Sequence, residues 1–234
     1  MGYFAMSSNR TCSIRCVCFD WGGVLLRHCR GWVEACEAAG VPAREGMDSP
    51  QLKQRRQELN QQFQTGRVHE RDFFPQLAEA TGGLYTADEV RQVHHAWLLT
   101  EYAGVGDVID AINATGNVET ALLSNTNAAH WARHIDSPCG RVKADYPAIQ
   151  RIMHRHASHL LGHAKPHGDI YRAFEDATGF GPGEILFFDD LPDNIAMAKQ
   201  LGWHGVLIDY TQETAPALFA ALRRYGVLEA EAVV

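Results

Sequence analysis

The sequence predicts a doubly wound, Rossmann-like α/β fold with a parallel sheet and a small all-helical cap inserted after the first strand. Three short apolar segments each end at a polar corner, helical patterns lie between them, and one long polar stretch interrupts the alternation. Near-continuous apolar segments are typical of parallel strands that are covered by helices on both faces. Alternating strands and helices favour the doubly wound arrangement.

The predicted strands are rich in β-branched, aromatic and other apolar residues. They cover residues 14–19, 118–123, 185–188 and 205–208. The first three lead directly into polar residues, which are Asp20, Ser124 and the pair Asp189 and Asp190. Because ligands of open α/β sheets bind at the carboxyl ends of the strands, these polar residues are the candidates for a functional site.

The predicted helices of the core are recognised by apolar residues that recur every three or four positions. In one of them, Val108, Ile109 and Ile112 share a face. The helices found in this way cover residues 107–113, 169–178, 193–201 and 215–224.

Residues 28–103 break the alternation of strands and helices. Long polar helical patterns cover 49–63 and 88–98, and two glycine-containing breaks punctuate the stretch. The sequence therefore predicts an α/β core domain of residues 11–27 and 104–234. Residues 28–103 are predicted to form a helical cap over the carboxyl ends of the sheet.

The composition predicts a globular protein that binds neither nucleic acid nor a membrane. Hydrophobic residues make up 46% of the 234 positions, and the net charge of −7 disfavours nucleic acid, which usually meets a basic face. No apolar segment approaches the roughly 18 residues that span a bilayer, and no signal peptide is visible at the polar N-terminus. We expect a cytoplasmic monomer or homodimer whose chain starts at Met1 or at Met6.

Asp20 is the first candidate for chemistry. It ends a buried strand and precedes Trp21, Gly22 and Gly23, so its carboxylate projects from a backbone that is free to curve around a ligand. A carboxylate is able to attack a phosphoryl group and form an aspartyl-phosphate that water then hydrolyses. An Asp before two glycines is also common in plain turns, so Asp20 alone decides little. Trp21 is predicted either to contact the substrate or to be a core aromatic.

Asp190 is expected to bind Mg²⁺ together with Asp20. This cation takes one or two carboxylates, keeps several waters and binds substrate phosphate. The backbone carbonyl of Gly22 is a third predicted ligand. The alternative is that the acidic residues from Asp189 to Asp193 only stabilise the N-terminus of a helix.

Ser124, Asn125 and Lys165 are predicted to bind the phosphate group. A hydroxyl and the backbone N–H groups that follow a strand suit phosphate oxygens. The ammonium group of Lys165, which follows an apolar segment ending at Leu161, offsets the negative charge of substrate and carboxylates. Each piece is common alone, and their combination in this order is far more specific.

These motifs resemble those of the haloacid dehalogenase superfamily, most of whose members are phosphatases. The resemblance covers residues 16–209 and keeps the order of the motifs. It implies that Asp20 is the nucleophile, Ser124 the phosphate-binding hydroxyl, Lys165 the stabilising lysine and Asp190 the acidic metal ligand.

The resemblance extends to the neighbours of these residues. Asp189 stands where many members have glycine, and Asn194 stands where many have a further acidic residue, so both are implied to support the site. The subfamily IA-like branch that includes α-D-glucose-1-phosphate phosphatases and the phosphatase domain of soluble epoxide hydrolases is the most similar. The segments that carry this similarity are 63–67, 123–127 and 187–195.

The sequence departs from most phosphatases of the superfamily at Gly22. They carry a second Asp there, which protonates the leaving oxygen and activates water, an effect of roughly 10²- to 10⁴-fold. One explanation is a phosphatase with another proton donor, for which His28, Asp72 and Glu101 are the candidates. The similar branch also has members with glycine at this position.

Two other functions stay open beside the phosphatase. One is a haloacid dehalogenase, in which Asp20 attacks carbon and neither the acid nor magnesium is needed. The other is a catalytically weakened protein that binds a phosphorylated ligand. The pair Asp189 and Asp190 favours the phosphatase, and the expected substrate is a small phosphorylated metabolite, with sugar phosphates among the candidates.

Overall fold

The computed structural model describes residues 14–47, 49–135 and 145–230, so the predicted start of the core at 11–13 lies outside the described residues. Its strands are β1 (Cys16–Phe19), β2 (Leu26–His28), β3 (Leu98–Glu101), β4 (Glu119–Ser124), β5 (His154–Ala157), β6 (Ile185–Asp189) and β7 (His204–Leu207). Five of them form a parallel sheet in the order β5-β4-β1-β6-β7. The predicted doubly wound α/β fold is confirmed.

The helices of the described residues are α1 (Trp32–Ala39), α2 (Pro50–Gln64), α3 (Glu70–Ala80), α4 (Ala87–Ala96), α5 (Val105–Asn113), α6 (Ala128–Trp131), α7 (Ser158–Leu161), α8 (Gly168–Thr178), α9 (Pro192–Gln200) and α10 (Ala215–Arg224). No described helix combines the length and the apolar character that a membrane span requires.

Alternation along β1 explains why the sheet has helices on both faces. Val17 and Phe19 lie in a hydrophobic cluster with α5 and α10, whereas Cys16 and Cys18 lie in a second cluster with α8 and α9. All four side chains are fully buried. A strand that buries both of its faces needs apolar residues at every position, which is the pattern seen in the sequence.

Helices α1 to α4 lie between β2 and β3, and these two strands pair in an antiparallel ribbon. The helices share a hydrophobic cluster of their own, which includes Phe63, Phe73 and Phe74. We refer to α1–α4 as the cap. The domain limits given above for the cap and the core stay a prediction.

One sequence-based expectation differs from the structure, and one strand of the sheet was not predicted. The helix predicted over 88–98 ends at Ala96, and Leu98 begins β3 because the chain there pairs with β2. The apolar segment before Lys165 is the short helix α7, and the strand that precedes it is β5. β5 has a strand neighbour on one side only, and its sequence His-Arg-His-Ala lacks the apolar run of a central strand.

Candidate active site

The ends of β1 and β6 bring Asp20 beside Asp189. Phe19 is in register with Leu122 of β4 and with Phe188 of β6. The backbone N–H of Asp20 donates to the carbonyl of Phe188 at 2.8 Å, which continues the pairing for one more residue. The first carboxylate of the site is therefore fixed by the register of the central strands.

Lys165 joins two carboxylates from different strands. Its Nζ lies 2.9 Å from Asp20 Oδ1 and 2.7 Å from Asp189 Oδ2, and it donates to the carbonyl of Leu123 at 2.8 Å. The lysine side chain is 0% exposed. A buried ammonium with three acceptors has all of its hydrogens used, so its position is well defined.

Ser124 and Asn125 have different roles at the end of β4. Ser124 is buried, and it borders the same cavity as Asp20. The Asn125 amide donates from Nδ2 to the Lys165 carbonyl at 2.8 Å and accepts from the Lys165 N–H at 2.8 Å. Asn125 therefore positions Lys165, and its direct contact with substrate stays a prediction. The N–H of Thr126 already donates to Ser158 Oγ at 3.0 Å, so it is not free for a phosphate.

Asp189 is saturated by hydrogen-bond donors. Its Oδ1 accepts from the Leu191 N–H at 2.8 Å and from Asn194 Nδ2 at 2.9 Å. Its Oδ2 accepts from Lys165 Nζ at 2.7 Å and from Asn194 Nδ2 at 3.0 Å. This geometry supports the predicted roles of Asp189 and Asn194 as residues that hold the lysine in place.

Asp190 packs against Gly23 and pairs with Arg30. A Cβ atom on Gly23 would lie 2.4 Å from Asp190 Cγ, and Gly23 has a φ of 81°, so both space and backbone conformation require glycine there. Arg30 Nη1 donates to Asp190 Oδ2 at 2.7 Å, and its guanidinium lies over the ring of Tyr210. Arg30 thus adds a second positive charge to the site.

The charges of the site shift the proton affinities of its members. Burial raises the pKa of the Asp20 carboxyl above its ordinary value, and Lys165 opposes this rise while Asp189 and Asp190 add to it. Burial alone would lower the pKa of Lys165, but its ion pairs with Asp189 and Asp20 raise that pKa above its ordinary value. Lys165 therefore stays charged, and the excess of carboxylates favours a further cation.

The donor set fits a divalent cation. Asp20, Asp189 and Asp190 offer carboxylate oxygens that lie within 4.8 Å of one another. Among the described residues, no donor reaches Asp20 Oδ2 or Asp190 Oδ1, whereas both oxygens of Asp189 are occupied. Two carboxylates with free oxygens match the preference of Mg²⁺. Gly22, the predicted carbonyl ligand, borders the same cavity.

The cavity above these residues has a volume of about 580 Å³, and the cap forms its opposite wall. Trp32, the first residue of α1, and Trp97, which directly follows α4, contribute aromatic surface on that side. A polar face of α2 also borders the cavity, formed by Lys53, Gln57, Asn60 and Gln64. These four residues recur every three or four positions, which places them on one side of the helix.

Trp21 borders the cavity, but its indole is a core side chain. The residue is 2% exposed. Its ring packs edge-on against Trp131, His134 and Tyr146, with centroid distances of 6.3, 5.7 and 5.6 Å. Of the two alternatives for this residue, the structure shows the core aromatic, and this packing does not support a substrate contact by the indole.

Comparison with known proteins gives the family. The profile of the haloacid dehalogenase-like hydrolases matches residues 14–202. The chain belongs to this family of hydrolases. It is 28% identical over 199 residues to a D-ribitol-5-phosphate phosphatase of Bacteroides thetaiotaomicron, which covers 81% of this chain and 89% of that protein.

Solved structures of other haloacid dehalogenase-like proteins share the fold. A predicted haloacid dehalogenase-like family hydrolase of Porphyromonas gingivalis has a TM-score of 0.68 and 29% identity, over 90% of this chain and 98% of its own. A family enzyme of B. thetaiotaomicron, crystallised with magnesium and inorganic phosphate, has a TM-score of 0.68 and 20% identity, over 87% of this chain and 98% of its own. The L-2-haloacid dehalogenase of Xanthobacter autotrophicus has a TM-score of 0.57 and 20% identity, over 87% of this chain and 81% of its own.

Sequence reasoning missed two features of the site in this haloacid dehalogenase-like hydrolase. The polar face of α2 has a readable signal, since its residues follow the helical period. Arg30 has no such signal, because its contact with Asp190 depends on how the chain leaves β2 toward the cap.

A stacked pair of histidines joins the cap to the core beside the cavity. The rings of His94, on α4, and His130, on α6, are 3.9 Å apart, and His130 Nε2 donates to the His94 carbonyl at 2.7 Å. The pKa of His130 is lowered to about 4, mainly by burial; its hydrogen bond to the His94 carbonyl opposes this shift, and Arg133 adds to it. Burial also lowers the pKa of His94. Both rings are therefore neutral in the folded protein near pH 7.

The stability of this hydrolase is expected to fall between pH 7 and pH 5 because of this pair. In this range the unfolded chain binds protons at the histidines and the folded chain does not, so acid favours unfolding. His130 alone is expected to lower the free energy of unfolding by about 2 kcal/mol at pH 5. Chemical denaturation at the two pH values measures the loss.

A matched pair of variants separates this effect from general acid sensitivity. His130→Gln should reduce the loss between pH 7 and pH 5, while His163→Gln, which removes an exposed histidine, should match the wild type. An equal loss in all three proteins would show that His130 does not carry the acid sensitivity.

Proposed function

We propose that the chain is a magnesium-dependent phosphatase that hydrolyses a small phosphorylated metabolite through an aspartyl-phosphate on Asp20. The observation that carries the proposal is the state of the two Asp20 oxygens. Oδ1 accepts from Lys165 and from the Trp21 N–H, whereas Oδ2 accepts from no described residue. One oxygen anchors the carboxylate and the other is free to attack.

The remaining residues of the site bind and orient the phosphate. Ser124 offers its hydroxyl at the end of the neighbouring strand, and Lys165 places a fixed positive charge beside the attacking carboxylate. Charge that develops on phosphoryl oxygens is stabilised most by groups that are already in position, and Asn125 and Asp189 hold Lys165 there.

Magnesium is proposed to be held by Asp20, Asp190 and the carbonyl of Gly22. When bound, it would supply positive charge to the phosphate oxygens and reduce the repulsion between substrate and carboxylates. The magnesium and phosphate bound to the structural relative from B. thetaiotaomicron are consistent with this assignment.

The cap favours a substrate with several hydroxyl groups. The face of α2 that borders the cavity carries three amides and one lysine, which suit hydroxyl oxygens and an anionic group. The relative whose name specifies D-ribitol 5-phosphate supports a polyol or sugar phosphate. The cytoplasmic location and the monomeric or homodimeric state stay predictions.

The test is phosphate release from a panel of polyol phosphates, sugar phosphates and p-nitrophenyl phosphate, with magnesium and with EDTA. We expect magnesium-dependent release and a higher kcat/KM for polyol or sugar phosphates than for p-nitrophenyl phosphate. Tight binding of these esters without release, at high protein concentration, would instead identify a phosphate-ligand-binding protein.

The family also contains dehalogenases, and isotope labelling separates the two chemistries. In a single turnover in H₂¹⁸O, water attacks phosphorus in an aspartyl-phosphate, so the label enters the released phosphate. An aspartyl ester formed with a 2-haloacid is opened at the carboxyl carbon, so the label enters Asp20. Chloride release from a 2-haloacid with label in Asp20 would overturn the phosphatase.

A further inference from the structure

The space beside Gly22 is filled by the side chain of His28. A Cβ atom on Gly22 would lie 2.6 Å from Cδ2 and 3.0 Å from Nε2 of His28. Gly22 is not among the glycines with positive φ, whereas Gly23 is. The backbone conformation does not call for glycine at position 22, and a side chain there would displace the imidazole of His28.

The chain after Asp20 folds back so that His28 reaches this position. The N–H groups of Leu25 and Leu26 donate to the Trp21 carbonyl at 3.0 and 2.8 Å, and the Gly23 N–H donates to the Leu26 carbonyl at 2.8 Å. Strand β2 then runs from this turn and pairs with β3. The imidazole of His28, at the end of β2, therefore lies where the Cβ atom of a side chain at position 22 would be.

The hydrogen bond of His28 occupies one ring nitrogen and leaves the other without a partner among the described residues. Nδ1 lies 2.9 Å from the carbonyl of Cys29, which is an acceptor only, so Nδ1 carries a hydrogen. No described residue forms a hydrogen bond with Nε2. His28 borders the cavity together with Asp20 and Lys165. The edge of its ring that carries Nε2 lies beside Gly22, which borders the same cavity.

The other two candidates for a proton donor lie elsewhere. Asp72 is half-exposed and pairs with Arg71. Glu101 accepts from the N–H of Ala148 at 2.9 Å. Neither of them borders the cavity, whereas His28 does.

We infer that His28 is the acid–base residue of the reaction and takes the place of the carboxylate that Gly22 lacks. The inference rests on the proposed phosphatase function. In the first step an Asp20 oxygen bonds to phosphorus and the bond to the leaving oxygen breaks. His28, protonated by the water attack of the preceding turnover, passes its Nε2 hydrogen to that oxygen and frees an alcohol. The neutral Nε2 then takes a proton from water as its oxygen attacks phosphorus, which breaks the bond to Asp20 and releases phosphate.

The test compares His28→Ala with the wild type on two leaving groups. An alkyl phosphate, such as ribitol 5-phosphate, needs its leaving oxygen protonated, so kcat should fall by roughly 10²- to 10⁴-fold. p-Nitrophenol leaves readily without a proton, so the first step should persist while hydrolysis of the intermediate slows. Rapid mixing should then show a burst of p-nitrophenol equal to the enzyme concentration, followed by slow turnover.

A second variant distinguishes a proton-transfer role from a packing role. With the imidazole gone, position 22 has room for a side chain. The double variant of His28→Ala and Gly22→Asp should therefore have a kcat on the alkyl phosphate at least about tenfold above that of His28→Ala alone. In the wild-type background, Gly22→Asp meets His28 and should lower activity. A double variant no better than His28→Ala would count against the inference.

Failure of this inference is distinct from failure of the proposed function. If the wild type releases phosphate and His28→Ala keeps its rate on both substrates, or loses both equally without a burst, His28 is not the acid–base residue. If the wild type releases no phosphate from any ester, the phosphatase itself is wrong.

Discussion

Replacing Asp20 by asparagine is expected to abolish phosphate release. The amide keeps the size of the carboxylate, and its oxygen still accepts from Lys165 and from the Trp21 N–H, which now contact Asp20 Oδ1. The amide is a poor nucleophile, so no aspartyl-phosphate forms. We expect kcat to fall by about 10⁴-fold or more, the scale on which removal of a covalent nucleophile acts. Phosphate release at saturating substrate and magnesium measures the effect.

The same substitution should leave the fold intact. Burial disfavours the charged form of Asp20, and the other carboxylates of the site repel it. A neutral amide removes both costs and also the ion pair with Lys165. Because the pKa of Asp20 is raised in balance, the costs outweigh the ion pair, and we expect a melting temperature equal to or above that of the wild type. Functional sites commonly retain such destabilising charges because the chemistry requires them.

Asp193→Asn is the matched control for Asp20→Asn. Asp193 is an exposed carboxylate at the start of α9. The variant Asp193→Asn should therefore keep wild-type activity. If Asp20→Asn instead kept a rate similar to that of Asp193→Asn, Asp20 would not be the nucleophile.

The central part of the site was predictable because it depends on strand ends. Apolar residues at every position of β1 and at the first four positions of β6 reveal strands buried on both faces, and the carboxylates that follow these apolar residues mark the carboxyl ends. Parallel neighbours in a sheet end at the same edge, so Asp20 and Asp190 follow from the pattern alone. No knowledge of loops or of the cap is required for this step.

Lys165 was predicted to lie near the site because it follows an apolar segment, and this reason is incomplete. The apolar segment before it is a helix, and the strand of that region, β5, is rich in histidine. An edge strand has one strand neighbour and tolerates polar residues, so its pattern does not stand out. Lys165 reaches the site because Asn125 holds its backbone, a contact across 40 positions of the chain.

The contacts between the cap and the core could not be predicted from the sequence pattern. Whether His28, Asp72 or Glu101 faces the nucleophile depends on the turn after β1 and on the path of β2, and these are set by individual hydrogen bonds. The side chain of Trp21 shows the same limit. Its position beside the nucleophile is consistent with a substrate contact, and only the packing of its neighbours shows that it belongs to the core.

Replacing Lys165 by methionine is expected to damage both catalysis and stability. Methionine fills a similar volume, so the packing loss is small. It removes the cation from Asp20 and Asp189 and leaves both carboxylates in a site where the lysine was fully buried. Breaking a buried pair in this way costs about 3–5 kcal/mol of unfolding free energy. Chemical denaturation and phosphate release should both show large losses.

A double variant separates the two losses. Adding Asp189→Asn to Lys165→Met removes one of the uncompensated charges, while the new amide oxygen is still able to accept from Leu191 and Asn194, as the carboxylate does now. We expect much of the lost stability to return, since the two residues are in direct contact and their effects are not additive. Activity should not return, because no ammonium group remains beside Asp20 to stabilise the charge on the phosphate. If activity returned along with stability, Lys165 would be a structural residue and its proposed part in binding the phosphate would be wrong.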